Sequence, residues 1–254
     1  MRLPFHAPAA VPFAALLLLT PASPFAVAAT AAEFTPAQRA EIVSILRDAL
    51  RTDPAILRDA VAALQNDDGE RERSAARAAL AAARDVLVTP NDPVGGNPAG
   101  KITIVEFFDV RCPYCHKLDP EMTAFLAQDR DVRLVYKDLP ILGAASVLGS
   151  KALLAAHKQN AYEKMREAVM RNPSDISRAS LEATAKRLGL DTQRLLADMD
   201  SAPVQAQIDA NLRLAHLLSI QGTPAMVIGD DVLPGAVGAA ELARVVAQAR
   251  AAGK

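Results

Sequence analysis

The chain contains two cysteines, Cys112 and Cys115, and only two residues separate them. They follow directly on a largely apolar run at 102–108, which predicts a strand. A strand that delivers a C-x-x-C pair to the start of a helix is typical of redox-active dithiols, because the helix N-terminus stabilises a thiolate. A structural disulfide more often links distant segments, and a structural zinc site needs two further ligands. The spacing therefore predicts thiol–disulfide chemistry.

Two alternatives use the same residues. His116 directly follows Cys115, so the segment also satisfies the C-x-x-C-H pattern of c-type haem attachment, in which the cysteines would carry thioethers. The side chains of Cys112, Cys115 and His116 could also hold a soft or borderline ion such as Cu(I) or Zn(II). The preceding apolar strand counts against haem, and His157 and His216 lie in helical patterns where a lone histidine is usually a surface residue. No dedicated metal site is predicted.

Residues 1–28 have the features of a secretory signal peptide. Arg2 is the early charge, an apolar stretch at 9–19 follows, and Ala26-Val27-Ala28 fits an A-x-A cleavage pattern. That apolar core is too short to span a membrane, which needs about 20 residues. We therefore expect export to the periplasm, an oxidising compartment where disulfides persist. The net charge of −1 gives no basis for binding nucleic acid.

Residues 29–90 predict a helical N-terminal arm. Thr35-Pro36-Ala37-Gln38 combines an N-cap, a proline at the first helical position and a capping-box glutamine. We expect three short helices, the third alanine-rich at about 70–88. Apolar residues recur at helical spacing at Ile42, Ile45, Leu46, Leu50, Leu57, Val61 and Leu64. Such narrow stripes need another surface, either the chain's own catalytic domain or further copies, and we favour a homo-oligomer formed through 35–88.

Residues 91–100 are rich in turn formers and predict a linker, and the rest of the chain, 101–254, predicts an α/β domain. The predicted strands lie at 102–108, 132–137, 225–228 and 232–233, and a closing helix at 239–249. A long helical block at about 143–219 interrupts the strands. This order predicts an α/β sheet that carries a helical insertion.

The motifs together identify a family resemblance. The strand before Cys112-Pro113-Tyr114-Cys115, the helical insertion, and Gly222-Thr223-Pro224-Ala225 ahead of a strand resemble the DsbA family of thiol:disulfide oxidoreductases over about 95–250. The arm is similar to that of the ScsC-like and Com1-like branch, whose members can be oligomeric disulfide isomerases. The resemblance implies a thioredoxin fold with an inserted helical subdomain, preceded by an all-helical arm. It requires no bound cofactor, because the two cysteines carry the redox equivalents.

The resemblance also implies catalytic roles. Cys112 would be the nucleophile that forms a mixed disulfide with a client, and Cys115 would be the buried resolving thiol. Glu106 stands six residues before Cys112, where an acid in this family lies beneath the dithiol and assists proton transfer. A buried carboxylate has a raised pKa and suits that role. The alternative places Glu106 on the solvent face of the strand.

A substrate-binding surface follows from the same comparison. Pro224 matches the cis-proline that faces the dithiol in thioredoxin folds, and Thr223 would offer its backbone to an extended client strand. The alternative is an ordinary trans proline that starts a strand. Pro113 and Tyr114 would tune the redox poise, and His116 would border the site facing solvent.

The implied partners are exported proteins that contain cysteines, together with a membrane protein that reduces or oxidises the dithiol. The arm favours an isomerase or reductase, since several dithiols on one oligomer can act on a single misfolded client. The alternative is a monomeric oxidase that donates disulfides. ScsC-like relatives are associated with copper tolerance, which leaves copper binding as a secondary alternative.

Overall fold

The computed structural model describes residues 34–253, which fall into two compact units divided after Ala60. The predicted signal peptide at 1–28 lies outside the described residues. The helices are α1 (Pro36–Thr52), α2 (Ala55–Leu87), α3 (Pro113–Gln128), α4 (Ala144–His157), α5 (Tyr162–Met170), α6 (Arg178–Arg187), α7 (Thr192–Met199), α8 (Ala202–Leu217) and α9 (Ala239–Ala251). The strands are β1 (Val94–Gly96), β2 (Ile102–Phe108), β3 (Val132–Asp138), β4 (Ala225–Ile228) and β5 (Asp231–Pro234). None of these helices is both long and apolar enough to cross a membrane.

The described part of the arm, residues 34–90, contains two helices rather than the three that the sequence predicts. The capping box of α1 is present, with Thr35 and Gln38 exchanging hydrogen bonds and Pro36 at the first helical position. The second helix continues for 33 residues, straight through the predicted break before residue 70. One glycine, Gly69, costs a helix only about 1 kcal/mol, and the glutamate, arginine and alanine residues that follow it are strong helix formers. The prediction of a separate third helix is therefore wrong.

The sheet has the strand order β1-β3-β2-β4-β5, with β2 and β3 parallel and the other neighbours antiparallel. The segment at 91–100 is not a free linker, because β1 lies in it and pairs with β3. Asp92, just before β1, forms a buried ion pair with Lys137 of β3 at 2.7 Å. Turn formers are compatible with this edge strand since Gly96, its last residue, takes a positive φ of 64°.

The two faces of the sheet cover two separate cores. In β2 the side chains of Ile104 and Phe108 belong to the core that also contains both cysteines, α3, α9 and most of the helical insertion. Val105 and Phe107 belong to the core on the opposite face, where residues of α2 and α8 pack. Because side chains alternate along a strand, Glu106 faces the same side as Ile104 and Phe108. The pleat of β2 thus directs the acid toward the cysteines.

The five helices α4 to α8 stand between β3 and β4, in the range where the sequence predicts the insertion. They bury their apolar side chains mainly in the core that contains the cysteines. The insertion therefore supplies a wall for that face of the sheet, and one of its side chains reaches the site described next.

Candidate active site

A buried carboxylate shapes the loop before the cysteines. Asp109 is fully buried, and it accepts hydrogen bonds from the backbone N–H groups of Arg111, Ile141 and Leu142 at 2.8–3.0 Å. Its own carbonyl accepts the N–H of Cys112. The sequence suggests only polarity at a strand end here. The structure shows that Asp109 joins the loop after β2 to the loop after β3, on which the start of α3 depends.

Cys112 is the N-cap of α3, which begins at Pro113. Proline suits the first helical position because its missing N–H has no partner there in any helix. Both cysteines are free thiols. Cys112 is 5% exposed and Cys115 is fully buried one turn further along. The nucleophile expected from the sequence is therefore the cysteine that retains access to solvent.

The loop before β4 faces the first cysteine. The Thr223–Pro224 peptide bond is cis, as the resemblance implies, and the trans alternative is wrong. The Cys112 Sγ donates a hydrogen bond to the Thr223 carbonyl at 3.0 Å. Two segments that are 111 residues apart in sequence therefore meet at the sulfur atom.

The protonation of Cys115 is set by its surroundings. Burial raises the pKa of this thiol far above its usual range, and the nearby Cys112 and Glu106 raise it further. Hydrogen bonds from the backbone of Asp109 and the side chain of Thr223 oppose the shift in pKa. Cys115 is therefore held as a thiol, and it needs a proton acceptor before it can act as a nucleophile.

Glu106 is 1% exposed, so the alternative that placed it on the solvent face of β2 is wrong. Neither carboxylate oxygen has a hydrogen-bond partner among the described residues. Burial raises the pKa of this carboxyl, the guanidinium of Arg166 lowers it, and the charge of Asp119 raises it. A buried acid without hydrogen-bond partners is uncommon in folded proteins and is typical of a site that moves protons.

Arg166, on α5 of the insertion, supplies the nearest positive charge. Its guanidinium lies 4.9 Å from the ring centres of both Phe108 and Tyr136. One nitrogen donates to the Asp119 carboxylate at 2.6 Å, and another lies 3.9 Å from Glu106 Oε1. Sequence reasoning missed this residue, because nothing in the pattern of α5 distinguishes it from the other charged residues of the insertion.

A cleft of about 490 Å³ runs along this cluster. Its walls include Glu106, Asp119, Tyr136, Glu163 and Arg166. The cleft gives the buried carboxylate a polar surrounding on the side of α3 and α5.

A second buried acid lies at the end of β3 on the same face. The Asp138 carboxylate accepts a hydrogen bond from the Tyr162 hydroxyl at 2.8 Å. Burial raises the pKa of this carboxyl to about 7, although the hydrogen bond from Tyr162 and the charge of Arg166 oppose the shift. The face of the sheet that carries the dithiol thus holds two acids whose charged forms are disfavoured.

The remaining predicted residues divide between surface and framework. Tyr114 is 60% exposed beside the cysteines, with the Lys117 ammonium 5.5 Å from its ring centre. His116 does not project freely into solvent, because its Nε2–H donates to the Val110 carbonyl at 2.9 Å. That bond occupies the nitrogen that a haem iron would need, so the geometry gives the haem alternative no support. Within residues 34–253 no group of three or more His, Cys, Asp and Glu side chains is arranged for a metal ion.

Comparison with known proteins gives the family. Residues 103–247 match the model of the DSBA-like thioredoxin domain, which covers more than half of the chain. The chain belongs to the DsbA-like thioredoxin family. Residues 38–70 also match the N-terminal domain of the copper resistance protein ScsC. The predicted resemblance and the predicted thioredoxin fold are both confirmed, and the family is one of thiol–disulfide oxidoreductases.

Solved structures support the assignment to the DsbA-like family. A thioredoxin-like oxidoreductase from Silicibacter pomeroyi is 40% identical, with a TM-score of 0.64, over 66% of this chain and 98% of that one. ScsC from Proteus mirabilis, in a conformation described as transitional, is 32% identical with a TM-score of 0.63 and covers 86% of this chain and 100% of its own. The second match includes the arm as well as the DsbA-like domain.

Among curated proteins, the thiol:disulfide interchange protein DsbA of Bordetella parapertussis is 27% identical over 56% of this chain and 70% of its own length. A Na⁺/H⁺ antiporter, NhaA 3 of Salinispora tropica, is 29% identical over 60% of this chain. The match spans only 25% of that antiporter's length. A match over a quarter of that protein carries no argument about ion transport by this chain.

Proposed function

We propose that the chain exchanges thiols and disulfides with client proteins through Cys112 and Cys115. One observation carries the proposal: the Cys112 sulfur, at the N-terminus of α3, meets the Thr223 carbonyl at 3.0 Å while Cys115 is enclosed behind it. This arrangement makes Cys112, at 5% exposed, the more accessible of the two sulfurs and keeps the second in reserve. The exposed Tyr114 and the backbone of Thr223 border the Cys112 sulfur and would contact an extended client segment.

The exchange proceeds in two steps when the client carries a disulfide. The Cys112 thiolate attacks one client sulfur, the client S–S bond breaks, the other client sulfur leaves as a thiolate that solvent protonates, and a mixed disulfide forms. Cys115 then gives its proton to the Glu106 carboxylate and attacks the Cys112 sulfur. The mixed disulfide breaks, the client sulfur leaves as a thiolate and is protonated by solvent, and Cys112 and Cys115 become joined. The client is reduced by two electrons and the dithiol is oxidised by two.

The two cysteine variants test these roles against each other. We expect Cys112→Ser to abolish exchange with a disulfide-bonded client, because the attacking sulfur is gone. Cys115→Ser keeps the first step and loses the second, so mixed disulfides should accumulate and dissolve on addition of dithiothreitol. Full exchange by Cys112→Ser, or no trapped species with Cys115→Ser, would contradict the proposed roles.

We further propose that the protein works as an isomerase or reductase and assembles into a homo-oligomer through residues 35–88. Within 34–60 no side chain of α1 is buried, and Ile42, Ile45 and Leu46 are exposed at helical spacing. Exposed apolar residues of this size add about 1.5–3 kcal/mol each when they become buried in a contact. The match of 38–70 to the ScsC N-terminal domain supports a dedicated role for the arm.

Light scattering coupled to size exclusion tests the oligomer on the full chain. Leu46→Asp introduces a charge into the apolar stripe and should convert the assembly to monomer. Ser44→Asp places the same charge on the same exposed helix outside the stripe, and should leave the mass unchanged. A wild-type chain that is already monomeric would contradict the oligomer and favour the oxidase alternative.

Export to the periplasm and a membrane partner that sets the redox state of the dithiol complete the proposal. The support is the apolar N-terminal segment and the family, one of whose relatives is described as a periplasmic thioredoxin-like protein of Salmonella enterica. Acid-quenched trapping with a mass-tagged alkylating reagent reads the state in the cell. Two tags without reduction indicate a dithiol kept reduced, as an isomerase or reductase requires. Two tags only after reduction indicate an oxidase.

A further inference from the structure

The side chain of Arg166, which reaches the site from the insertion, is held in place by burial and by two aromatic rings. Arg166 is 7% exposed, and its guanidinium lies 4.9 Å from the ring centres of Phe108 and Tyr136. Stacking on aromatic rings suits a guanidinium and fixes its plane. The side chain therefore occupies a defined position between β2, β3 and α3, although its backbone belongs to the insertion.

The guanidinium contacts two acids unequally. The 2.6 Å contact to Asp119 is a charge-assisted hydrogen bond, whereas the 3.9 Å approach to Glu106 is too long for one. Asp119 is partly exposed, so water can also solvate its charge. Glu106 is buried, so the charge of Arg166 is the main influence that favours its carboxylate form. Arg166 thus hydrogen-bonds to Asp119, which water also solvates, and makes no hydrogen bond to the buried Glu106.

Several ionisable groups surround Glu106. Cys115 and Asp119 come from α3, Tyr136 from β3, and Arg166 from α5, which also places Glu163 on the wall of the same cleft. On the remaining side, β4 pairs Met226 with Glu106 and brings no charge. Among the described residues Arg166 is therefore the positive charge that acts on this acid, and Asp119 is the negative charge that competes for it.

We propose that Arg166 is a positioning residue for thiol–disulfide exchange. Its charge holds Glu106 ready to accept the Cys115 proton, and Asp119 limits the effect by binding the guanidinium at the wall of the cleft. The proposal rests on the proposed function and extends it, since it assigns the helical insertion a part in the chemistry. Arg166 does not touch the reacting sulfurs and acts through Glu106 alone.

The sign of the effect differs between the two partners of the pair. Without Arg166, Glu106 loses the charge that favours its carboxylate, so less of the proton acceptor is present at a given pH. Without the charge of Asp119, the guanidinium acts on Glu106 alone and more acceptor is present. The pH midpoint of the release step should rise in Arg166→Met and fall in Asp119→Asn. An opposite charge within about 4–6 Å typically moves such a midpoint by about one to three units.

The test follows release of a client from a preformed mixed disulfide with Cys112, by quenched flow from pH 5 to 9. We expect Arg166→Met to release about tenfold more slowly at pH 6 and to gain most of the lost rate at high pH. Arg166→Lys keeps the charge and should restore the midpoint in large part. Arg171→Met removes an exposed arginine just after the same helix, and should leave the midpoint unchanged.

Three outcomes separate a positioning role from a structural one. Opposite shifts in Arg166→Met and Asp119→Asn support the proposal, as does the absence of any further effect of Arg166→Met in a Glu106→Gln background. Equal slowing at every pH, with no shift of the midpoint, would overturn it. If Arg166→Met does not fold, Asp119→Asn and Arg166→Lys still decide the sign. A wild-type chain that forms no mixed disulfide would overturn the proposed function itself.

Discussion

Two buried charge clusters lie on opposite faces of the same sheet, and they are built differently. On one face Lys137 and Asp92 meet at 2.7 Å, with both side chains buried. On the other face Glu106 is equally buried, but Arg166 stays 3.9 Å away and both carboxylate oxygens lack hydrogen bonds. The first pair satisfies its charges and holds the segment before β1 against β3. The second leaves an acid unsatisfied beside a thiol whose proton has to move.

The comparison shows why burial alone does not identify a functional charge. A buried pair with a short contact is destabilising to break, because each charge depends on the other. Burying an acid without hydrogen bonds already costs free energy of folding. Replacing that acid therefore need not destabilise the fold. The two clusters should therefore respond to mutation in opposite ways, one in stability and the other in chemistry.

The largest effect on stability is expected from Lys137→Met. Asp92 would remain as an unpaired charge in the core, which lowers the free energy of unfolding by about 3–5 kcal/mol. Urea denaturation followed by circular dichroism measures the loss. The rate of client release should stay within about twofold of wild type, since this face of the sheet holds neither cysteine. A large change in rate with no loss of stability would break the comparison.

Glu106→Gln should have the opposite effects, a large change in the rate of client release and little loss of stability. Release from the mixed disulfide should slow by about 10²-fold, the usual contribution of a positioned proton acceptor. In the wild-type chain the pKa of Glu106 is raised by folding. The stability that this group contributes is therefore fully present below its unfolded pKa and is lost as pH rises through its folded pKa. The variant should thus match wild type near pH 4 and equal or exceed its stability at pH 8. A loss of stability like that of Lys137→Met would contradict this interpretation.

Asp138→Asn isolates the titration of the second acid on the dithiol face. Its folded pKa of about 7 is above the usual value, so the wild-type stability from this group is lost between about pH 4 and 7. The variant should remove that part of the pH dependence, about 4 kcal/mol of stability for a pKa raised from the usual aspartate value to about 7. Unfolding curves at pH 4, 6 and 8 measure it. An unchanged slope would place the titration elsewhere.

The smallest effect is expected from Arg171→Met. Arg171 and Glu167 form an exposed pair one helical turn apart, and such pairs contribute about 0.2–0.5 kcal/mol. Stability at low salt should change by no more than this, and release should be unaffected. A larger effect would mean that exposed charges of the insertion also matter to the site, which would weaken the distinction drawn for Arg166.

The local features of the fold follow from short-range rules. The capping box at Thr35 and the strand before Cys112 are readable because they depend on neighbours in sequence. The edge strand β1 was not predicted, since it has three residues, two of them glycine, and exists only because β3 lies beside it. The length of α2 was missed for a different reason, since propensity does not say whether one glycine ends a helix.

The sequence by itself determined the pair of cysteines, their place at the start of a helix, the acid six residues before them and the Thr-Pro loop. These depend on residue type and local spacing. Only the tertiary structure decided that Asp109 binds the loop after β3, that His116 turns to the Val110 carbonyl, and that Arg166 stands beside Glu106. The contacts of Asp109 and Arg166 join segments that are distant in sequence, and the distance between them in space is fixed by tertiary packing. A carboxylate's charge and hydrogen bonds depend on that distance, which no local pattern encodes.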